Sequence, residues 1–262
     1  MSDEPKSRTI KSVTTALSIV QVIREKNGAT VTEIAMHLDF SPATVHSHLS
    51  TLKQEGYVVQ RETAYDLGPQ FLAAGGHVRN KSRLYQASKE EVDKLAEETG
   101  ECVHLIIEHG GQLFALYERF GPDAIGTDYH DQKRGKPLNH LHCTAAGKSI
   151  LAQLPEQQVE RIIDERGLPE NTNKTIHERE MLLEELAEVR ERGYAFADEE
   201  QLRGIRAVGA PIFGPNNDAA GAIAVSGPTS RLQRERFYEL LPETVQQTTN
   251  ICEVNLRTLA LS

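Results

Sequence analysis

Apolar positions recur at helical spacing three times in the N-terminal stretch and then give way to two short strand-like runs. Val13, Ala16, Leu17, Val20 and Ile23 form one helical face, ended by Asn27-Gly28. The apolar edge left over on this helix could pair with a second chain. Thr30 opens a capping box with Glu33, and Ile34, Ala35 and Leu38 make the next apolar face. Asp39 and Phe40 break that pattern. Ser41 can cap a further helix, and Pro42 suits its first position, where a missing N–H costs nothing. Val45, Leu49 and Leu52 then point into a core, and Gly56 stops the helix. Residues 57–60 and 65–67 read as strands joined by Arg61, Glu62, Thr63 and Ala64. Helix, tight turn, helix and hairpin predict a winged helix-turn-helix over 30–68.

With Val45, Leu49 and Leu52 inside, the helix begun by Ser41 exposes Ala43, Thr44, His46, Ser47, Ser50 and Lys53. The second helix of such a motif lies in the major groove, where its N-terminal side chains meet base edges. Thr44, His46 and Ser47 are therefore base-contact candidates, and Lys53 and Arg61 are candidates for phosphates. The plainer reading is a small helical packing unit without a nucleic-acid partner.

After Gly68-Pro69 the pattern changes. Residues 70–78 read as a short helical linker rich in Ala and Gly, and RNKSR at 79–83 as a basic hinge. Leu84, Ala87, Val92 and Leu95 mark a helix ending near Gly100. CVHLIIE at 102–108 and LFALYER at 113–119 are strands around Gly110-Gly111, a hairpin signal. Residues 127–142 are polar and could hold strands. Helices are expected at 144–154, 156–165, 177–192 and 231–259, and strands at 194–197, 207–213 and 219–226. The fold class is α+β, with a mostly antiparallel sheet flanked by helices in the second domain.

Composition narrows the function. At 262 residues the chain can build two cores. Its 29 basic and 38 acidic residues, a net charge of −9, argue against a generic nucleic-acid coat or a membrane-surface binder, but not against sequence-specific DNA binding. Residues 1–68 carry seven basic and eight acidic side chains, so one copy offers few phosphate contacts. A dimer would double them, and a salt-tolerant source would favour such an acidic surface. No apolar run approaches the ~18 residues of a membrane span, and the N-terminus lacks a signal-peptide core. Cys102, Cys143 and Cys252 form neither a disulfide framework nor a CxxC pair. A cytoplasmic protein with reduced thiols is expected.

Candidate chemistry is sparse. Ala146-Gly147-Lys148-Ser149 resembles the end of a phosphate loop, but His142 stands where the first glycine belongs. A helix N-terminus capped by Thr144 is the better reading, with the N–H groups of Ala145 and Ala146 free to meet an anion. His140, His142 and Cys143 crowd too closely to surround one metal ion, and no second cluster completes a site. Cys143 with His142 or His140 is the sole nucleophile–base candidate, and nothing supplies a third orienting group. No metal, cofactor or enzyme activity is expected. The small residues Val208-Gly209-Ala210-Pro211 and Gly221-Ala222-Ile223-Ala224 leave room for a ligand, with Ser226 at a pocket mouth, or simply pack tightly as a sheet.

Taken in order, TEIA at 32–35, SPATVHSHLSTLKQEGY at 41–57, LHCTAAGKSILAQLP at 141–155 and the 192–228 segment resemble the IclR family of transcriptional regulators. The resemblance implies a winged helix-turn-helix DNA-binding domain at 1–68, a linker helix and hinge at 69–83, and a GAF-like effector-binding and oligomerisation domain at 84–262. It implies homodimers or homotetramers on palindromic double-stranded operators, controlled by a small effector such as an organic acid or an aromatic or sugar catabolite. It carries the effector site to His142, Ala145, Ala146, Asp198, Ala207, Ala224 and Ser226. Members that take small keto acids tend to have Cys at the Ala207 position and Ser at the Ala224 position, so a larger or less polar effector is expected here. Many members have Arg where Ser47 stands, which implies a different operator sequence. The alternative is a GAF-like metabolite sensor acting through protein partners.

Overall fold

The computed structural model describes residues 9–125, 138 and 140–261. Most of the 127–142 stretch, where strands were conceivable, lies outside them. The chain forms two compact units, Met1–Arg79 and Asn80–Ser262.

The first unit is α1 (Lys11–Lys26), β1 (Ala29–Thr30), α2 (Val31–Leu38), α3 (Pro42–Gln54), β2 (Val58–Arg61), β3 (Ala64–Leu67) and all but the last two residues of α4 (Gln70–Lys81). Local chemistry sets these limits. The Thr30 hydroxyl accepts the Glu33 N–H while the Glu33 carboxylate accepts the Thr30 N–H, closing the predicted capping box. Ser41 Oγ accepts the Thr44 N–H at 3.1 Å, and Pro42 follows at the first helical position. Ile19, Val22, Ile23, Ile34, Val45, Leu49, Val58 and Tyr65 build one core.

Two features differ from expectation. The buried edge of α1 is Ile19, Val22 and Ile23, while Ile10, Val13 and Leu17 stay exposed. The helix has apolar residues on more than one side, and α2 and α3 cover only its C-terminal half. The two-residue β1 pairs with β3, giving a sheet in the order β1-β3-β2. Gly68 is dictated by close approach, because a Cβ there would lie 2.1 Å from the Gly56 carbonyl oxygen.

The second unit is α+β. Its strands are β4 (Cys102–Glu108), β5 (Leu113–Phe120), β6 (Ala195–Asp198), β7 (Ile205–Phe213) and β8 (Ala219–Pro228). They form one antiparallel sheet in the order β5-β4-β8-β7-β6. Gly110 and Gly111, both at positive φ, make the tight β4–β5 turn. On one face pack α5 (Arg83–Thr99) and α9 (Leu241–Leu261), over Val103, Leu105, Val208, Ile223 and Val225. On the other pack α6 (Ala145–Leu151), α7 (Glu156–Arg166) and α8 (Arg179–Arg192), over Ile106, Ala195, Ala222 and Ala224.

The closing helix is interrupted where an unbroken run was expected. A π-helical turn at Arg236–Leu240 precedes α9. Pro242 lacks an N–H and would clash with the Tyr238 carbonyl in a regular helix; the wider turn accommodates it.

Candidate functional site

The first unit presents α3. Ala43, His46, Ser47, Ser50 and Lys53 follow one another at helical spacing and are all exposed, as are Ser41, Thr44 and Arg61. Val45 and Leu49 anchor the opposite side, both fully buried. Several of the polar groups are held in place. Ser41 Oγ and Thr44 Oγ1 lie 2.8 Å apart, and Ser47 Oγ donates to the Ala43 carbonyl at 3.0 Å. Lys53 Nζ donates to Gln60 Oε1 on β2 at 2.9 Å, tying the helix to the wing. Arg61 lies 3.4 Å from Asp66 across the hairpin. The His46 imidazole projects from the middle of the stripe. An exposed helix of short polar side chains beside a wing is shaped to enter a major groove.

The second unit presents a half-buried patch on the α6 face of its sheet. Directly opposed residues share a face in an antiparallel sheet. One cross-strand row is Ala195, Gly209, Ala224, His104 and Glu118; the next is Ala197, Ala207, Ser226 and Cys102. Gly209 lets α6 settle onto the strands, for a Cβ there would lie 2.7 Å from the Ala145 carbonyl carbon and 2.8 Å from the Ala146 nitrogen. The first turn of α6 is thereby brought against Ala224. Thr144 Oγ1 accepts the Gly147 N–H at 3.0 Å and its carbonyl accepts the Lys148 N–H. The Ala145 and Ala146 N–H groups have no acceptor among the described residues. Ala145, Ala146, Ala207, Ala224 and Ser226 thus come together around one patch.

Asp198 does not join them. It follows Phe196 on the opposite face, where Arg206 chelates its carboxylate at 2.6 and 3.2 Å and stacks on Phe237. That guanidinium holds the Asp198 carboxyl below the usual carboxylate range. His142 is buried, and its Nε2 is engaged by the Pro169 carbonyl at 3.2 Å. Burial pushes its pKa down.

Three polar groups escaped the sequence reading. His104 Nδ1 lies 2.8 Å from Glu118 Oε1, and its Nε2 lies 3.0 Å from Ser226 Oγ. The alternation of CVHLIIE already sets His104 against Val103 and Leu105 on the other face. Lys148, 1% exposed, reaches Glu200 at 2.7 Å and Glu185 at 3.2 Å. It therefore points away from any phosphate.

The nucleophile reading of Cys143 has no support in this geometry. Burial pushes its thiol up to about 11, and the Asn171 amide donates to its sulfur at 3.1 Å. Among the described residues no cluster of three or more His, Cys, Asp or Glu side chains could hold a metal. No helix of the described residues is long and apolar enough to cross a membrane.

Comparison with known proteins fits both units. The model of the IclR helix-turn-helix domain matches residues 12–62, and that of the bacterial transcriptional regulator IclR C-terminal domain matches 77–253. The chain belongs to the IclR family of transcriptional regulators. It is 42% identical over 252 residues to the "Probable HTH-type transcriptional regulator ArcR" of Halobacterium salinarum, covering 96% of this chain and 95% of that one. Among solved structures, the Thermotoga maritima IclR superposes with a TM-score of 0.72 at 26% identity, covering 95% of this chain and 99% of that one. An IclR homolog from Microbacterium hydrocarbonoxydans, complexed with 4-hydroxybenzoate, gives a TM-score of 0.80 at 18% identity, covering 94% and 99%. The IclR-family matches are to regulators of transcription, not to enzymes.

Proposed function

We propose that this IclR-family regulator binds a specific palindromic operator in the cytoplasm as a homodimer or a pair of dimers, and that a small organic acid or aromatic catabolite tunes that binding. The observation that carries the DNA reading is the exposed α3 stripe of Ala43, His46, Ser47, Ser50 and Lys53 beside the wing. Thr44, His46 and Ser47 are the base readers, and Lys53 and Arg61 the phosphate contacts. The effector is assigned to the patch around Ala145, Ala146, Ala207, Ala224 and Ser226. Two unmatched N–H groups at a capped helix start favour an anionic ligand there. The 4-hydroxybenzoate of the Microbacterium relative supports the same class.

Effector and operator are coupled only if the ligand binds two arrangements of the dimer with different affinity. Fluorescence anisotropy of the purified protein on DNA from upstream of its own gene, beside a scrambled duplex, tests the DNA reading. Sequence-selective binding that His46→Ala weakens is expected. No selectivity at any salt concentration favours instead a metabolite sensor acting through a protein partner, which the near-neutral charge of residues 1–68 also suits.

A further inference from the structure

The wing turns on two residues, Glu62 and Thr63, between the paired strand ends Arg61 and Ala64. The favoured loops of that length take positive φ at their first position, where Gly, Asn or Asp fits at least cost. Here the position belongs to Glu62, at φ 53°. The side chain gains nothing locally in return. It is exposed, and its carboxylate has no hydrogen bond or ion pair among the described residues. A strained backbone position filled by a residue that serves no contact of its own points to a role outside the chain.

The turn lies on the side of the unit that α3 presents. Lys53, the last residue of the exposed stripe, donates to Gln60 Oε1 at 2.9 Å, and Gln60 Nε2 donates onward to the Glu62 carbonyl at 3.2 Å. Two strand residues carry the chain about 7 Å beyond Gln60. With α3 in a major groove about 12 Å wide, that reach ends at the groove wall, where phosphates border the next minor groove. The charge brought there is negative. Arg61 leans back across the hairpin to Asp66 at 3.4 Å, and residues 58–67 hold one basic and two acidic side chains, a balance of −1. Glu62 is the charge left at the turn itself.

We propose that Glu62 is a specificity-determining residue: its carboxylate repels the narrow minor groove of an A-tract and so directs the protein to operators flanked by G·C pairs. The proposal rests on the reading of α3 as the helix that enters the major groove. Narrowing a minor groove concentrates the phosphate potential, which draws in a cationic wing and keeps out an anionic one. A G·C pair also adds the guanine N2 amino group to the minor groove, where A·T offers only acceptors. The flank that repels the carboxylate least is therefore the one that can donate to it. Repulsion of this kind weakens binding to every duplex, but most to the wrong one, so it sharpens selectivity without adding a contact.

Charge variants of the full chain on two duplexes test this. A duplex selected from a random pool by the wild-type protein is rebuilt with A-tracts or with G·C runs on both flanks, and each form is titrated by fluorescence anisotropy. The wild type is expected to bind the G·C-flanked form about three- to fivefold more tightly, the size of one exposed charge interaction. Glu62→Asp keeps the charge and should keep most of that ratio. Glu62→Asn should bring it towards one, and Glu62→Lys should reverse it. Asp and Asn both suit positive φ and are nearly the same size, so charge alone separates those two proteins and folding is not at stake. The wild-type ratio should also shrink as salt rises. Equal ratios in Glu62→Asp and Glu62→Asn, or a wild type that prefers A-tracts or neither flank, overturn the proposal. Either result obtained with selective duplex binding leaves the α3 reading intact, whereas a wild type that selects no duplex from the pool sinks both.

Discussion

Lys148 places a full positive charge under α6, 1% exposed, between Glu200 and Glu185. Removing one member of such a buried group strands the others. Lys148→Met should therefore lower the folding free energy by about 3–5 kcal/mol, read as a lower urea midpoint. Adding Glu200→Gln should recover part of that loss, and no recovery would mean that Glu200 is not the stranded charge. Nothing local in the chain marks this lysine as inward-pointing. Its partners lie 37 and 52 residues away, and in the linear text Gly147-Lys148-Ser149 looks like the end of a phosphate loop. Gly147 itself is set by contact, since a Cβ there would lie 2.2 Å from the Leu141 carbonyl oxygen. His104 carries a pH signature. Its folded value of about 10 lies above the ordinary 6.5, so the stability it adds is complete below pH 6.5 and drains away as pH rises towards 10. The stability gap between the wild type and His104→Asn should accordingly narrow over that interval, and chemical denaturation at stepped pH measures it. A gap constant with pH would mean that the ring is neutral in the folded chain.

At the scale of elements, the caps and turns were legible because their chemistry is local. Thr30 with Glu33, Ser41 with Pro42, Thr144, and Gly110-Gly111 all act where the pattern put them. Ser41→Ala should cost about 1 kcal/mol through the lost cap on α3, read as a drop in thermal midpoint. Ser41→Asp should keep most of that stability while adding a negative charge beside the groove-facing helix, so it should weaken DNA binding more than folding. Less legible was anything that needs strand register. Counting back from the Gly110-Gly111 turn pairs His104 with Tyr117, but a bulge between Leu105 and Ile106 shifts the ladder by one and brings Glu118 opposite instead. No local residue pattern announces that bulge. Asp198 failed for a related reason. It neighbours patch residues in the chain, yet strand alternation sends its side chain to Arg206 on the far face. The exposed Ile10, Val13 and Leu17 of α1 show the converse, an apolar periodicity that marks a helix without saying which side its own unit will cover.

For the whole molecule, charge makes the sharpest statement. The chain carries −9 overall, and the two basic side chains assigned to phosphates are already engaged, Lys53 with Gln60 and Arg61 with Asp66. Each phosphate contact contributes a slope of about −0.9 to the dependence of log affinity on log salt. A single helix-turn-helix with so few cations should show a shallow slope, and two copies on a palindrome should show about twice that slope. Lys53→Ala should then flatten the slope by about 2 on a full operator and about 1 on an isolated half-site, while leaving the ranking of operator sequences unchanged. His46→Ala should do the opposite, altering the ranking at one base step with the slope intact, because a base contact releases few counterions. Anisotropy titrations at stepped salt on full and half operators separate these outcomes. Equal flattening on both would mean that one copy of the protein reads the site, and the dimeric arrangement on a palindrome would have to be abandoned.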